Sequence, residues 1–540
     1  MHHCLEIQEI LRVICNQLNP FDERDVFRNE FAESGAKLSL TALAIMARTC
    51  KTFSDPALDV LWESADIKDL LLCMPADVWA VRQDHDKLPC EHKLVLLRPI
   101  HTSDCERLWF YARRIKHLRA HEDNVDLSIF PTLGVDLLRH VQSLQWLRPE
   151  EDFHKFYRFL GPALTRIEFE ITDSGVGRVA RVAARLPALA VSHPQLKDIR
   201  ISSPVVDAHV SAVSTLLCAL HCAEFISVPT LNYRAFCHLA SLRNLKYLTL
   251  TKGFPELPGG RTDIRLFPAL RSLDFLATRE TAGRLLDSCT EIPLTLDTLW
   301  FGIDADTIST GTQVEDLCSR LPAAILHSSL RSLGLLFADE DIVSATAHTD
   351  YVIPNRAIRA LFYFRNLTRL WIHSSVGIDL DDSTVLDLTC ACPLLETLGL
   401  KSVHAAPLQQ RTTLQSLFYL SKNCSSLATL VIDLDATAVP DPEPDAEPIS
   451  SQQALVSLDV RYSTIAGADS VARFLLLLFP NLQSLHTRRD FDTENPRFFI
   501  LFYPSEDELD EAHARASYTL WKEVASSISG CTFNDNPPPL

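Results

Sequence analysis

The chain has 540 residues, 47% of them hydrophobic, and a formal net charge of −18 from 69 acidic and 51 basic side chains. This length exceeds what one hydrophobic core serves, so two domains or an extended repeat body is expected, and the apolar content excludes a wholly disordered chain. The acidity argues against a phosphate-backbone partner, because nucleic-acid binders present a basic face.

The first predicted element is a helix over residues 5–18, in which Leu5, Ile7, Ile10, Leu11, Ile14 and Leu18 form a wide apolar stripe. His2-His3-Cys4 ahead of it has no second cluster at ligand spacing and is read as a polar end rather than a metal site. A charged stretch from Asp22 to Lys37 separates this helix from a second over 40–53, whose apolar positions are Leu40, Leu43, Ala47 and Cys50. Asp55-Pro56 then opens a short helix carrying Leu58, Leu61 and Trp62. Three helices of this size bury little area between them, so part of the stripe is expected to face something else.

One spacing, apolar-x-x-apolar-x-apolar, recurs along most of the remaining chain. It runs from Ile115/Leu118/Ala120 through Val141/Leu144/Trp146, Leu245/Leu248/Leu250, Leu296/Leu299/Phe301 and Leu395/Leu398/Leu400 to Leu455/Leu458/Val460, and ends on Leu482/Leu485. Most intervals are 23 to 37 residues, and a gap of 49 between Leu196 and Leu245 predicts a degenerate copy near Leu220 and Phe225. The last two positions of each copy alternate and so share one side of a short strand, while the first turns into the same core from the approaching loop. No single copy can bury that face; stacked neighbours make one continuous core. Between strands lie helix-spaced stretches such as Val385-Leu386-Leu388-Thr389 and Val471-Phe474-Leu475-Leu478. The expected fold class is therefore α/β, with a curved parallel sheet inside and helices outside.

Residues between the apolar positions of a strand point to its other face. That rule exposes Glu168, Glu170, Arg200, Asp274, Trp300, Trp371, His373, Lys401, Asp459 and Arg461. Trp300, Trp371, His373, Lys401 and Arg461 are the candidates for binding a protein substrate, since aromatic and arginine anchors dominate interfaces. The competing reading of the tryptophans is packing between neighbouring strands.

Near the end, Ala436 to Ser450 is acidic and proline-rich and is read as a disordered loop. Ser505-Glu506-Asp507-Glu508 has the spacing of a capping box, and Leu509, Ala512, Ala516, Leu520 and Val524 mark one face of a helix that could close the array.

Catalytic signatures are missing. Gly175-Val-Gly-Arg-Val-Ala180 imitates a dinucleotide fingerprint, but Asp198 precedes its strand instead of ending it, and a repeat turn explains the glycines. Cys390-Ala391-Cys392 is read as two small buried residues. The 15 cysteines include no CxxC pair, and nothing resembles a signal peptide, so a reducing intracellular site, cytoplasmic or nuclear, is expected. The longest aliphatic run, Phe474 to Phe479, falls far short of the ~20 residues that span a bilayer. No enzyme activity, cofactor, metal, nucleic acid or membrane is expected.

The opening Leu5 to Leu11 helix, Cys50-Lys51-x-Phe53 and the closing Leu61-Trp62 resemble an F-box motif, and the recurring spacing resembles leucine-rich repeats. Cys392-Pro-Leu-Leu-Glu-Thr-Leu-Gly-Leu400 is similar to the cysteine-containing repeat subtype, and Asn423 to Leu427 is a looser example. Glu6 and Gln8 stand where the family usually has proline, and the Asp22–Lys37 insertion is a second departure. The resemblance implies a non-enzymatic substrate adaptor of an SCF-type ubiquitin ligase. Its helices would dock on the Skp adaptor, and through it on a cullin–RING ligase, while the repeats hold an unknown protein substrate. It also implies adaptor contacts at Leu5, Ile10, Ile14, Leu18, Leu43, Cys50, Phe53 and Trp62; the alternative is that these pack on the first repeats. The rival function is a repeat scaffold with no ligase connection. The expected domains are an F-box-like module over 1–65, linking helices over 66–110 and a leucine-rich-repeat solenoid over 111–490. A capping segment over 491–530 and a disordered tail over 531–540 complete the chain.

Overall fold

The computed structural model describes residues 7–19, 33–84, 91–121, 137–147, 161–170, 184–257, 266–303, 309–337, 349–374, 377–402, 410–440, 451–461, 463–487, 511–528 and 530–534. Leu5, the Gly175–Ala180 turn, the Ser505–Glu508 segment and the acidic stretch from 441 onward lie outside them. The chain divides into two compact units, Met1–Leu245 and Lys246–Leu540.

The first unit opens with three helices, α1 (Gln8–Asn16), α2 (Glu33–Thr49) and α3 (Lys51–Leu61). Cys15, Leu43, Ala57 and Val60 form their buried centre, with Leu18, Met46, Ala47 and Leu61 packed around it. α2 begins at Glu33, not Leu40, because Ala36, Lys37 and Leu38 are good helix formers that extend it backwards. α3 begins at Lys51 behind an extended Cys50 and runs through Pro56, not from it. The hydrogen bond lost at Pro56 is offset by burying Pro56, Ala57 and Val60 on one side of the helix.

The chain then enters a first parallel strand, β1 (Ser64–Asp66), and α4 (Ile67–Leu71), which Asp66 caps by accepting from Lys68 N at 2.8 Å. An antiparallel hairpin comes next, β2 (Trp79–Asp84) against β3 (Glu91–Leu96), and then α5 (Glu106–Ala112). The stretch expected as linking helices over 66–110 thus holds α4 and the start of α5, with a hairpin between them. Val78, Trp79, Val81 and Val95 are β-branched or aromatic and favour a pleated surface, with Val78, Trp79 and Leu94 buried.

β4 (His117–His121), β5 (Ser143–Leu147), β6 (Arg166–Glu170), β7 (Asp198–Ser202) and β8 (Phe225–Val228) add to β1 in chain order, all parallel. Their register aligns Leu118, Leu144, Ile167, Ile199 and Ile226. β8 fills the long interval in the sequence, but Ile226 and Val228 point inward, one position away from the expected Phe225.

The second unit contains β9 (Tyr247–Leu250), β10 (Ser272–Ala277), β11 (Thr298–Ile303), β12 (Ser332–Phe337), β13 (Arg369–Ser374), β14 (Thr397–Ser402) and β15 (Thr429–Val431). β16 (Asp435–Ala436) pairs with β18 (Thr464–Ile465) in a separate two-stranded sheet, while β17 (Ser457–Asp459), β19 (Ser484–His486) and β20 (Thr532–Asn534) continue the parallel sheet. One leucine from each strand, Leu248, Leu273, Leu299, Leu333, Leu370, Leu398, Leu430, Leu458 and Leu485, stands in register with the next. All are buried, as are the other inward positions of the recurring spacing. Helices between strands start where a polar side chain accepts from the first turn: Thr278 from Thr281 N, Asp381 from Thr384 N and Thr413 from Gln415 N.

A buried ladder joins successive copies six residues ahead of the strand leucines. The Cys392 thiol donates to Phe364 O at 3.6 Å, Cys424 to Cys392 O at 3.8 Å, and Gln452 Nε2 to Leu427 O at 2.7 Å and Cys424 O at 3.2 Å. Cys390, expected buried beside Cys392, is exposed.

The C-terminal helix, Glu511–Ser527, packs through Trp521, Val524, Ala525 and Ile528, and Trp521 Nε1 donates to Ser463 O at 3.1 Å. Ala516, expected on the packed face, is exposed. The indole fixes the helix's rotation, so the apolar face is read from Trp521 and not from the smaller residues. β20 pairs with β19, so Thr532–Asn534 of the tail expected to be disordered over 531–540 form a strand, while 535–540 lie outside the described residues: Thr532 and Phe533 are strand formers and meet an open sheet edge.

Candidate functional site

The N-terminal helices carry the first candidate surface. α1 turns Leu11 and Cys15 inward and leaves Ile7, Ile10, Val13 and Ile14 between 36% and 60% exposed. Ile7, Ile10 and Ile14 recur at helical spacing and make one stripe. On α2, Leu38 and Ile45 are 73% and 61% exposed and stand two turns apart on a common side. Large apolar groups repeated on one face, as opposed to scattered singly, mark an interaction surface.

The expected adaptor contacts divide accordingly. Ile10 and Ile14 are exposed. Leu18 packs on the module core, and Leu43 is fully buried inside it, so Leu43 cannot touch a partner. Cys50 and Phe53 are half-buried. Trp62 is half-buried and stacks on Tyr111 of α5, with ring centroids 4.4 Å apart. Val13, Leu38 and Ile45 are not distinguished as outward by the sequence pattern; the start of α2 at Glu33 brings Leu38 into the helix, two turns before Ile45.

This module is braced within the first unit. Arg114 donates to Asp59 and, at 2.6 Å, to Asp55; Arg12 of α1 lies 3.6 Å from Asp59. Lys116 Nζ donates to Glu63 at 2.7 Å, and the backbone N–H groups of Lys116 and His117 both reach Glu63 O at 2.9 Å. Beside it, Arg98 hydrogen-bonds Asp104 and Asp77, and the guanidinium holds the Asp104 carboxyl down at about 2. On the sheet of this unit, Arg119 Nε donates to Gln145 at 2.8 Å and Gln145 Nε2 to Glu168 at 3.2 Å. Arg200 pairs with Asp198 at 3.1 Å and lies over the Phe225 ring. Glu168 and Arg200 thus serve cross-strand pairing, while Glu170 is exposed.

The second candidate surface is the outward face of the second unit's sheet. One register row there reads Thr249, Asp274, Trp300, Gly334, Trp371, Gly399, Val431, Asp459 and His486. Asp274, Trp300, Trp371, His373 and Lys401 are partly exposed, as the alternation predicts. Arg461 is also partly exposed, but Asp459 is not. Asp459 is 5% exposed and accepts from the Arg461 backbone N–H at 3.1 Å, while the Arg461 guanidinium sits 3.3 Å from the same carboxylate. Arg461 has φ near +28°, so its side chain folds back instead of following the strand. Its guanidinium is thus turned onto Asp459 instead of standing in the row with the tryptophans.

Several reactive side chains elsewhere are buried. Burial pushes the Cys318 and Cys424 thiols up to about 12 and Cys289 and Cys392 up to about 11, which suppresses thiolate. Ser203 Oγ lies 2.6 Å from His209 Nδ1, but both residues are buried in the fold and out of reach of a substrate. Among the described residues no group of three His, Cys, Asp or Glu could hold a metal ion, and no helix is long and apolar enough to cross a membrane.

No protein-family model matches the chain, and no curated protein matches it. Among solved structures, a chain from the crystal structure of the Rad7 and Elc1 complex in yeast is similar with a TM-score of 0.30 and 13% identity. That similarity covers 65% of this chain and 76% of the other. A likeness of this size carries no weight for function.

Proposed function

We propose that the chain is a substrate adaptor of an SCF-type ubiquitin ligase, without catalytic activity of its own. The N-terminal helices dock on a Skp-type adaptor and the repeat sheets hold a protein substrate. Such a protein accelerates modification by holding substrate lysines at a high effective concentration near the charged enzyme. The reading rests on one observation: a short helical module leaves Ile7, Ile10, Val13 and Ile14 of α1 and Leu38 and Ile45 of α2 exposed, while its other apolar residues form its own core. The F-box resemblance of the same segment supports the identity of the partner.

Co-purification of the full chain with a Skp adaptor tests this. Wild-type protein is expected to retain the adaptor, and Ile10→Asp with Ile14→Asp to lose it while the circular dichroism stays unchanged. Failure of the wild-type protein to bind any Skp adaptor would leave the scaffold reading, which the outward aromatic row of the second unit also favours.

A further inference from the structure

Glycine is scarce in this chain, 16 of 540 residues, yet Gly302, Gly334 and Gly399 all fall on the outward face between β11 and β14. A Cβ at Gly302 would stand 2.5 Å from Leu276 Cδ2, and one at Gly334 or Gly399 would overlap the indole of Trp300 or Trp371. Each glycine is therefore a bare stretch of backbone on which a neighbour's side chain lies down. Each indole lies against the bare glycine backbone of the next strand, Trp300 on Gly334 and Trp371 on Gly399, and both remain partly exposed, as do Leu276 and Leu336 beside them. Standing tryptophans would have needed no glycines.

The spacing of the two indoles selects among ligands. Trp300 and Trp371 share a register row two strands apart, which is about 9.6 Å at ~4.8 Å per strand. A polyproline II helix brings the same face round every third residue, at about 9.3 Å. The charges select further. Arg369 and His373 flank Trp371 on its strand, and Lys401 is the register partner of His373. A cationic border disfavours ammonium or guanidinium ligands on these rings, in spite of the attraction of an indole face for cations. Asp274, the register partner of Trp300, interrupts the cationic border, which disfavours the continuous phosphate backbone of a nucleic acid and confines carboxylate contacts to the Trp371 end.

We propose that this face binds an acidic, proline-rich segment of a partner protein in the polyproline II conformation. Prolines three residues apart sit on Trp300 and Trp371, with carboxylates turned toward Arg369 and Lys401. The preformed backbone of such a segment lowers the ordering cost of binding. The assignment rests on reading the second unit's sheet as the recruiting surface and makes no use of the N-terminal helices.

Fluorescence anisotropy on the full chain, with no Skp adaptor present, tests it with four labelled probes. These are peptides repeating Pro-Glu-Asp, Ser-Glu-Asp and Pro-Lys-Lys, and an oligo-dT strand. The Pro-Glu-Asp peptide is expected to bind saturably, and the other three at least about tenfold more weakly. Trp300→Ala, Trp371→Ala and the surface change Arg369→Glu should each weaken it by about tenfold, with the melting temperature of Arg369→Glu unchanged. Equal binding of Ser-Glu-Asp, tighter binding of oligo-dT, or wild-type affinity in all three variants would overturn the proposal. Because the adaptor is absent, such a failure leaves docking of the N-terminal helices untouched, and loss of adaptor binding leaves this result untouched.

Discussion

Arg114, in the turn that follows α5, donates to Asp55 on α3 across 2.6 Å, and its guanidinium also reaches Asp59. The Arg114 side chain is 6% exposed whereas Asp55 is 68% exposed, so one end of the clamp is buried and the other is wet. Truncating Arg114 to alanine leaves Asp59 half-covered and removes packing beneath α3. Arg114→Ala is expected to cost about 1–3 kcal/mol, the exposed Asp55 keeping it below a fully buried pair. Lysine should restore only part, because a single ammonium cannot span both carboxylates as the guanidinium fork does. Urea unfolding measures both; a loss below about 0.5 kcal/mol for alanine contradicts the clamp.

The buried ladder makes a graded prediction. Gln452 is 4% exposed, donates to Leu427 O and Cys424 O, with Ser425 O beside them at 3.4 Å, and accepts from Leu455 N at 2.9 Å. Gln452→Leu strands these groups and should cost about 2–4 kcal/mol. Cys424→Ala removes only a long, weak thiol bond and a small volume and should cost about 1–2 kcal/mol. Equal effects in chemical denaturation would mean that the hydrogen bonds are not what ranks these positions.

The leucine spine was legible because each copy repeats a local rule: alternate residues of a strand share a face, and the run-up residue turns inward. Trp521 was not among the residues chosen for the C-terminal helix face, since a stripe of small residues has the same helical period as one anchored by an indole. The β2–β3 hairpin was missed because a short apolar run such as Val78 to Val81 fits a helix or a strand equally well. The relations that build the candidate surfaces are of another kind. Trp371 meets Gly399, and Arg114 meets Asp55, only through strand register and helix docking, which no local period contains. Ile10 and Ile14 were legible as apolar, but which apolar residues face out was decided by the packing of α1 on α2 and α3, which buried Leu43 and left Ile45 exposed.

Acid should weaken the second unit through Asp381. The Thr384 hydroxyl, with the Thr384 and Ser383 donors and Arg411, holds this carboxyl down at about 2 against burial. A carboxyl depressed in the folded state stabilises above its unfolded value near ~3.9 and loses that contribution as pH falls toward 2. Asp381→Asn is expected to flatten this part of the stability profile in urea titrations below about pH 5. An unchanged slope contradicts the assignment.

His209 gives a second window in the first unit. Burial lowers its pKa from 6.5, so the fold favours the neutral ring. Its contribution is present above the unfolded value and is lost as pH drops below about 6.5, where the unfolded chain takes up the proton first. Replacing it by glutamine should reduce the fall in melting temperature between about pH 7 and 5.5. A steeper fall in the variant counts against this account.

Thiol reactivity should follow exposure. Cys222, Cys237 and Cys390 are exposed, whereas Cys318, Cys392 and Cys424 are buried with raised pKa values. A chromogenic disulfide reagent is expected to label the first three rapidly at neutral pH and the second three only on unfolding. Mass spectrometry after a short pulse identifies the sites; early labelling of Cys424 would contradict the buried ladder.

Hydrogen–deuterium exchange of the full chain, with and without a Skp adaptor, addresses the outward isoleucines most directly. Slowed exchange in peptides spanning 7–16 and 33–49, with Ile10→Asp abolishing it, is the predicted result. Unchanged exchange there in the presence of saturating adaptor, or protection confined to the repeat strands, contradicts it.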